Sequence, residues 1–180
     1  IGNFELMYAG VSGEVLWKPV DSRLALGVEL NYVQLREQDQ RFGFASHTTP
    51  GGTIPHVNGH VSAYYELNNG YQANVHAGRY LAGDWGATFE FSREFNNGWQ
   101  IGAFATFTDV SAEQFGEGSF DKGLFFRVPF SWIIGTETKR GYSNIIRPVQ
   151  RDGGQRVIVP NRLYDIVSEP HRANVASSWG

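Results

Sequence analysis

A strict period of two recurs along this chain and restricts its fold more than any other feature. From Leu24 to Tyr32 the even positions are Leu24, Leu26, Val28, Leu30 and Tyr32, while Ala25, Gly27, Glu29 and Asn31 stand between them. Successive side chains of a strand point to opposite faces, so this is a strand with one oily face and one small or polar face. The same alternation runs from Val57 to Leu67, with Asn58, His60, Ser62, Tyr64 and Glu66 on the polar side, and from Tyr71, with Gln72, Asn74, His76 and Gly78 there. Trp85, Phe89, Phe91 and Phe95 alternate with Gly86, Thr88, Glu90, Ser92 and Glu94, and Trp99, Ile101, Ala103, Ala105 and Phe107 oppose Gln100, Gly102, Thr106 and Thr108. Lys122 to Trp132 continues the pattern through Leu124, Phe126, Val128, Phe130 and Trp132, with Pro129 as its blemish. Such runs make about eight to ten strands, several of about ten residues.

The hairpins carry their own register. Glu66-Leu-Asn-Asn-Gly-Tyr-Gln72 returns as Glu94-Phe-Asn-Asn-Gly-Trp-Gln100. A two-residue Asn-Gly turn would set an oily face beside a polar one. A three-residue Asn-Asn-Gly loop, with Gly70 or Gly98 left-handed, pairs Leu67 with Tyr71 and Phe95 with Trp99 and keeps the faces matched. It also opposes Phe89 to Ala105, Phe91 to Ala103, His60 to Gly78 and Ser62 to His76.

Connections alternate in length. Lys18 to Ser22, Asn68 to Gly70, Asn96 to Gly98 and Gly135 to Arg140 are short, whereas Leu35 to His56 and Asp109 to Asp121 are long and Leu81 to Asp84 is intermediate. Tight turns at one end of the sheet, longer loops at the other and aromatic residues at strand ends predict an antiparallel, up-and-down transmembrane β-barrel. Tyr71, Trp85, Phe89, Phe91, Phe95, Trp99 and Phe107 would then face lipid or form its interfacial girdles. Asn58, His60, Ser62, Tyr64, Glu66, Gln72, Asn74, His76, Thr88 and Glu90 would line the lumen. Arg79 and Arg93 share the oily face, but both lie near strand ends, where a guanidinium reaches headgroups. A soluble barrel or sandwich, with the apolar face turned inward, has the same period and stays open as the alternative.

Composition removes several functions. With 15 Lys+Arg against 18 Asp+Glu, the net charge of -3 offers no basic excess for nucleic acid. Cysteine is absent, which excludes disulfides, thiolate metal sites and cysteine nucleophiles from this chain. His56 and His60 lie four apart, which on a strand is no ligand spacing, so neither metal nor other cofactor is expected. Ser62 beside His76 could be imagined in a hydrolase, yet neighbouring Ser and His on a polar wall are far more often simply hydrogen-bonded, and the chain is not expected to be an enzyme. Glu29, Glu66, Glu90 and Glu94 spread along one wall instead of converging.

Several blocks carry sequence that alternation does not demand. GRYLAGDWGATFE, REFNNGW, GAFATFTDV, FGEGSFDKG, VPFSW and IRPVQRDGGQR follow one another, preceded by GVSGEVLWKPVDSRLALGVELNYV and QRFGF. In this order and spacing they resemble the C-terminal region of the YjbH/GfcD family of exopolysaccharide and capsule-operon outer-membrane proteins. The likeness reaches from about Gly10 to Asp165. It implies an outer-membrane β-barrel of a Gram-negative bacterium, in relatives carrying two barrels per chain, with a role in export or assembly of an extracellular polysaccharide. It implies no catalytic residues. The partners it suggests are outer-membrane lipid or lipopolysaccharide, the polysaccharide, and other proteins of the same secretion system.

Two of these blocks hold the candidate contacts with polysaccharide or partner: Arg79, Tyr80, Asp84 and Trp85 after Gly78, and Glu117, Asp121 and Lys122 within Phe115 to Lys122. Both fall at the long-loop end. Their bland alternative is structural, with Gly83 and Gly86 permitting a tight turn and Asp121 pairing nearby or with Arg79. Residues 1–160 are expected to be the barrel or part of one, and 161–180 a tail in which Asn161 caps a short helix through Val167 and Pro170 opens another to Trp179. The opening IGNFELMY reads as the inside of a strand, so the chain is expected to be a piece of a longer protein. The functional alternatives are a structural outer-membrane barrel without sugar contact and a soluble β-barrel or sandwich that binds carbohydrate.

Overall fold

Strands that alternate in this way leave their backbone donors and acceptors to be met by neighbouring strands. A computed structural model, which describes residues 2–3, 8–36, 48–49, 52–53, 55–109, 120–129, 141–146, 154–157, 159 and 162–168, meets them in one antiparallel meander. Its strands are β1 (Gly2–Asn3), β2 (Tyr8–Trp17), β3 (Leu24–Leu35), β4 (Thr48–Thr49), β5 (Gly52–Thr53), β6 (Val57–Glu66), β7 (Tyr71–Arg79), β8 (Trp85–Glu94), β9 (Gln100–Thr108), β10 (Asp121–Pro129) and β11 (Gly141–Ile146). Nine of them form one sheet in the order β1-β2-β3-β6-β7-β8-β9-β10-β11. The other two, β4 and β5, pair as a small hairpin within the long connection after β3, which the alternation did not foretell. β10 is described from Asp121 to Pro129, and Phe130 and Trp132 of the expected strand, like the expected turn from Gly135 to Arg140, lie outside the described residues.

The register agrees with the parity argument. Leu67 N donates to Tyr71 O and Phe95 N to Trp99 O, both at 2.8 Å. Phe89 stands opposite Ala105, Phe91 opposite Ala103, His60 opposite Gly78 and Ser62 opposite His76. Gly70 and Gly98 close the two turns at φ 75° and 81°, the left-handed region in which a side chain costs energy. Asn69 accompanies Gly70 there at φ 61°, a conformation that asparagine tolerates better than most residues.

Which face is buried follows from exposure. Val61 is 58% exposed beside Ser62 at 3%, and Phe89 and Phe91 are 49% and 52% exposed while Thr88 and Ser92 are 4% and 3%. The order is the reverse of a water-soluble core. In β3, Leu26, Val28 and Leu30 likewise face out, and Glu29 and Asn31 are buried.

The described residues form an open all-β sheet, not the closed barrel expected from the sequence. Among them no ladder joins β11 to β1, and the two residues of β1 and six of β11 are too few to build a full-height seam. The sheet is nevertheless curled. Strands lie about 4.8 Å apart, so a flat sheet would separate β2 from β10 by roughly 30 Å. Yet one tail segment touches Glu14 of β2 and shares a cavity with Phe125 and Arg127 of β10.

The tail fills the curl. Residues 163–168 are helical, close to the short helix expected after Asn161, and Ile166 N donates to Arg162 O at 3.1 Å. The second expected helix, from Pro170 to Trp179, lies outside the described residues. Residues 154–157 have already left the sheet, ahead of the expected tail boundary. Among the described residues two apolar clusters of the interior each include a tail residue: Ala25, Tyr64 and Tyr164 in one, Val33, Leu81 and Val157 in the other.

Candidate functional site

The tail runs along the polar face from one end of the sheet to the other. At the long-connection end, Gly154 N donates to Asp84 Oδ2 at 2.7 Å and Leu81 N to Gln155 O at 3.0 Å. At mid-height, Glu29 pairs with Arg162 and, at 3.6 Å, with Arg156, while its other oxygen accepts from Asn31 Nδ2 at 2.6 Å. Leu163 N donates to Glu14 Oε2 at 2.9 Å, which satisfies one of the free donors at the start of the helix. At the tight-turn end, Tyr164 stacks on Tyr64, accepts from Gln72 Nε2 at 2.9 Å and donates to Glu66 Oε1 at 3.1 Å. Lys18 completes that corner with an ion pair to Glu66 at 2.9 Å.

The lumen candidates form one connected wall. Ser62 Oγ lies 2.8 Å from His76 Nδ1, His76 Nε2 lies 3.6 Å from Glu90 Oε2, and Asn74 Nδ2 donates to that oxygen at 3.2 Å. The order Ser, His, acid is that of a hydrolase, but Ser62 is buried and absent from the cavity that His76 and Glu90 help to line. Thr88 hydrogen-bonds Tyr80 OH at 2.6 Å and Thr106 Oγ1 at 2.8 Å. Asn58 and His60 are buried on the same wall, His60 edge-on to Tyr80 at 4.7 Å. Gly78 leaves room for this close packing, since a Cβ there would stand 2.1 Å from Gly59 O.

The loop-end candidates divide. Tyr80, Asp84 and Asp121 are buried, and Asp84 holds Gly154, so the GRYLAGDWGATFE and IRPVQRDGGQR blocks dock on each other. Arg79 sits at the end of β7 with its Nε donating to Gly83 O at 3.2 Å rather than pairing with Asp121. Trp85 is 61% exposed, and Lys122 is exposed with its Nζ 4.7 Å from the Phe120 ring centroid. Glu117, with Phe115, Gly116, Gly118 and Ser119, lies outside the described residues.

On the outer face Phe95 and Phe107 are exposed, while Tyr71 and Trp99 at the turns are half-buried. Arg93 lies 4.9 Å from the Tyr71 ring and 4.8 Å from that of Phe95, a cation sandwiched by aromatics at the strand end.

Between the tail and β6–β10 remains a cavity of about 230 Å³. Arg127, Arg156 and Arg162 reach it with Glu90 and Asp165, and Gln72, Gln100, Phe125 and Tyr164 add amide and aromatic surface. Among the described residues no group of three His, Asp or Glu could hold a metal ion. Arg127, Arg156, Arg162, Tyr164, Glu14 and Lys18 were not singled out from the sequence. Their only signal there is indirect: a tail rich in arginine following a chain whose inward face carries glutamates.

Comparison with known proteins agrees with the sequence blocks. Residues 1–169 match the YjbH family model, described as "Exopolysaccharide biosynthesis protein YbjH". The chain is 35% identical over 170 residues to the Uncharacterized lipoprotein YjbH of Escherichia coli (strain K12), covering 93% of this chain and 24% of that protein. It thus spans about a quarter of the relative's length. No solved structure matches.

Proposed function

The chain belongs to the YjbH family of exopolysaccharide biosynthesis proteins, and from that premise we propose that it is wall and filling of an outer-membrane β-barrel acting in export or assembly of an extracellular polysaccharide or capsule. One observation carries the membrane half of this reading: the sheet buries its polar face and exposes its aromatic and aliphatic one. Apolar side chains exposed along whole strands demand an oily surrounding, and a barrel wall in lipid supplies one. The Escherichia coli relative is named a lipoprotein, which supports an envelope location. Among the described residues no helix is long and apolar enough to cross a membrane.

In this reading the strands within residues 1–160 contribute the wall, the tail that fills it begins by residue 154, ahead of the expected boundary at 161, the interior serves binding and passage rather than catalysis, and the Ser62-His76-Glu90 row is hydrogen-bonded wall. The exposed loop-end residues Trp85 and Lys122 are its outward contacts, and Glu117 of the same sequence block is a further candidate. The tail within the curl favours a second form of the proposal, a barrel that anchors or gates without touching sugar.

The test uses the full-length protein in a Gram-negative host. Phe89→Asp should block assembly into the outer membrane and Glu90→Gln should leave it intact. Deleting residues 115–122 should lower secreted polysaccharide at normal membrane abundance. Equal assembly of the two point variants removes the membrane reading, and unchanged secretion on deletion removes the loop from export.

A further inference from the structure

We infer that the cavity between the tail and β6–β10 is a subsite for a carboxylate-bearing sugar unit. The assignment rests on the polysaccharide reading above and deepens it.

Charge is the first ground. Three guanidiniums reach the cavity, from Arg127, Arg156 and Arg162. Against them stand two lining carboxylates, Glu90 and Asp165; Glu90 accepts from Asn74 and lies against His76, and Glu29, just outside, is divided between Arg156 and Arg162 while also accepting from Asn31. Arg156 is the least satisfied cation. Its Nε and Nη2 donate no hydrogen bond, and Glu29 stands 3.6 Å away. A mostly buried guanidinium with unmet donors favours an added anion, and a carboxylate matches its planar fork.

Shape is the second. The Phe125 ring and the edge of Tyr164, whose face is stacked on Tyr64, line the cavity with apolar surface for the C–H face of a sugar ring, and the Gln100 amide supplies a donor and an acceptor at the same wall. A bare inorganic anion needs neither. At about 230 Å³ the space suits one ring rather than a chain of several.

The experiment is calorimetric titration of the purified full-length protein in detergent with trigalacturonate and with its fully methyl-esterified form. The acid should bind at least tenfold more tightly than the ester, and Arg156→Gln should remove most of that difference. Arg127→Gln should do the same from a strand of the wall, which keeps the test valid if the tail variant loosens the fold. Equal affinity for acid and ester, or wild-type discrimination in both variants, overturns the assignment. So does inorganic phosphate competing as well as monomeric galacturonate, because the rings would then contribute nothing. Transport is read separately, from polysaccharide secreted by cells with and without the protein. Secretion that ignores the protein removes the export reading whatever the titration gives, and a titration without discrimination removes the subsite alone.

Discussion

Tyr164 lies flat against Tyr64, with ring centroids 3.9 Å apart and planes within 5°. One ring belongs to the tail helix and the other to β6 near the tight-turn end, so the contact anchors that helix on the polar face. Its hydroxyl adds bonds to Gln72 and Glu66. Tyr164→Ala removes stack and bonds together, and by analogy with other large-to-small changes costs about 3 kcal/mol. Tyr164→Phe keeps the stack and should cost about 1 kcal/mol. Amide exchange at Leu163 and Ile166 checks this: both should speed up strongly in the alanine variant and modestly in the phenylalanine one, with the outer strands unaffected.

Glu29 serves two guanidiniums, those of Arg156 and Arg162. Glu29→Gln leaves both without their charge partner inside the curl, at a cost of about 3–5 kcal/mol. Pairing it with Arg162→Gln should recover part of that loss, since one of the unpaired cations is then gone. A double-mutant cycle on unfolding in detergent measures the coupling, and additive losses would show that the ion pair contributes nothing.

Register was readable because parity and glycine act locally: only the Asn-Asn-Gly turns keep like faces together, and Gly70 and Gly98 take the left-handed angles those turns need. The polar wall was readable for the same reason, as Ser62 and His76 show. What fills the curl was not. Arg162 finds Glu29 on β3, Leu163 finds Glu14 on β2 and Tyr164 finds Tyr64 on β6, pairings between distant segments that alternation cannot encode. The same blindness affected Tyr80 and Asp84. Both sit at the loop end, but Tyr80 is buried against His60 and Thr88 of the wall and Asp84 on Gly154 of the tail, contacts between segments that alternation does not encode.

Asp84 and Gly154 test that docking. Asp84→Asn exchanges a charged acceptor for a neutral one at a 2.7 Å bond and should cost about 1 kcal/mol. Gly154→Ala should cost more, because the residue sits at φ 71° and its Cβ would come 3.1 Å from Thr106 Cγ2. Limited proteolysis between the sheet and the tail reads both: cleavage should be fastest in the alanine variant, intermediate in Asp84→Asn and slowest in the parent. Equal rates would mean that the tail is held by its other end.

Val75 and Asn74 are adjacent on β7 and point to opposite faces, Val75 exposed and Asn74 bonded to Glu90 on the wall. This chain holds no cysteine, so once any cysteine elsewhere in the full-length protein is replaced, a single thiol can be placed at either position. A bimane label on Val75→Cys, in full-length protein reconstituted into bilayers, should emit to the blue and be quenched by brominated acyl chains. The label on Asn74→Cys should resist that quenching. The contrast follows from the period of two, since one residue along a strand exchanges lipid for interior. Equal quenching at the two sites would mean that the exposed apolar face does not meet lipid, and the sheet would then need a protein partner to cover Phe89, Phe91 and their neighbours.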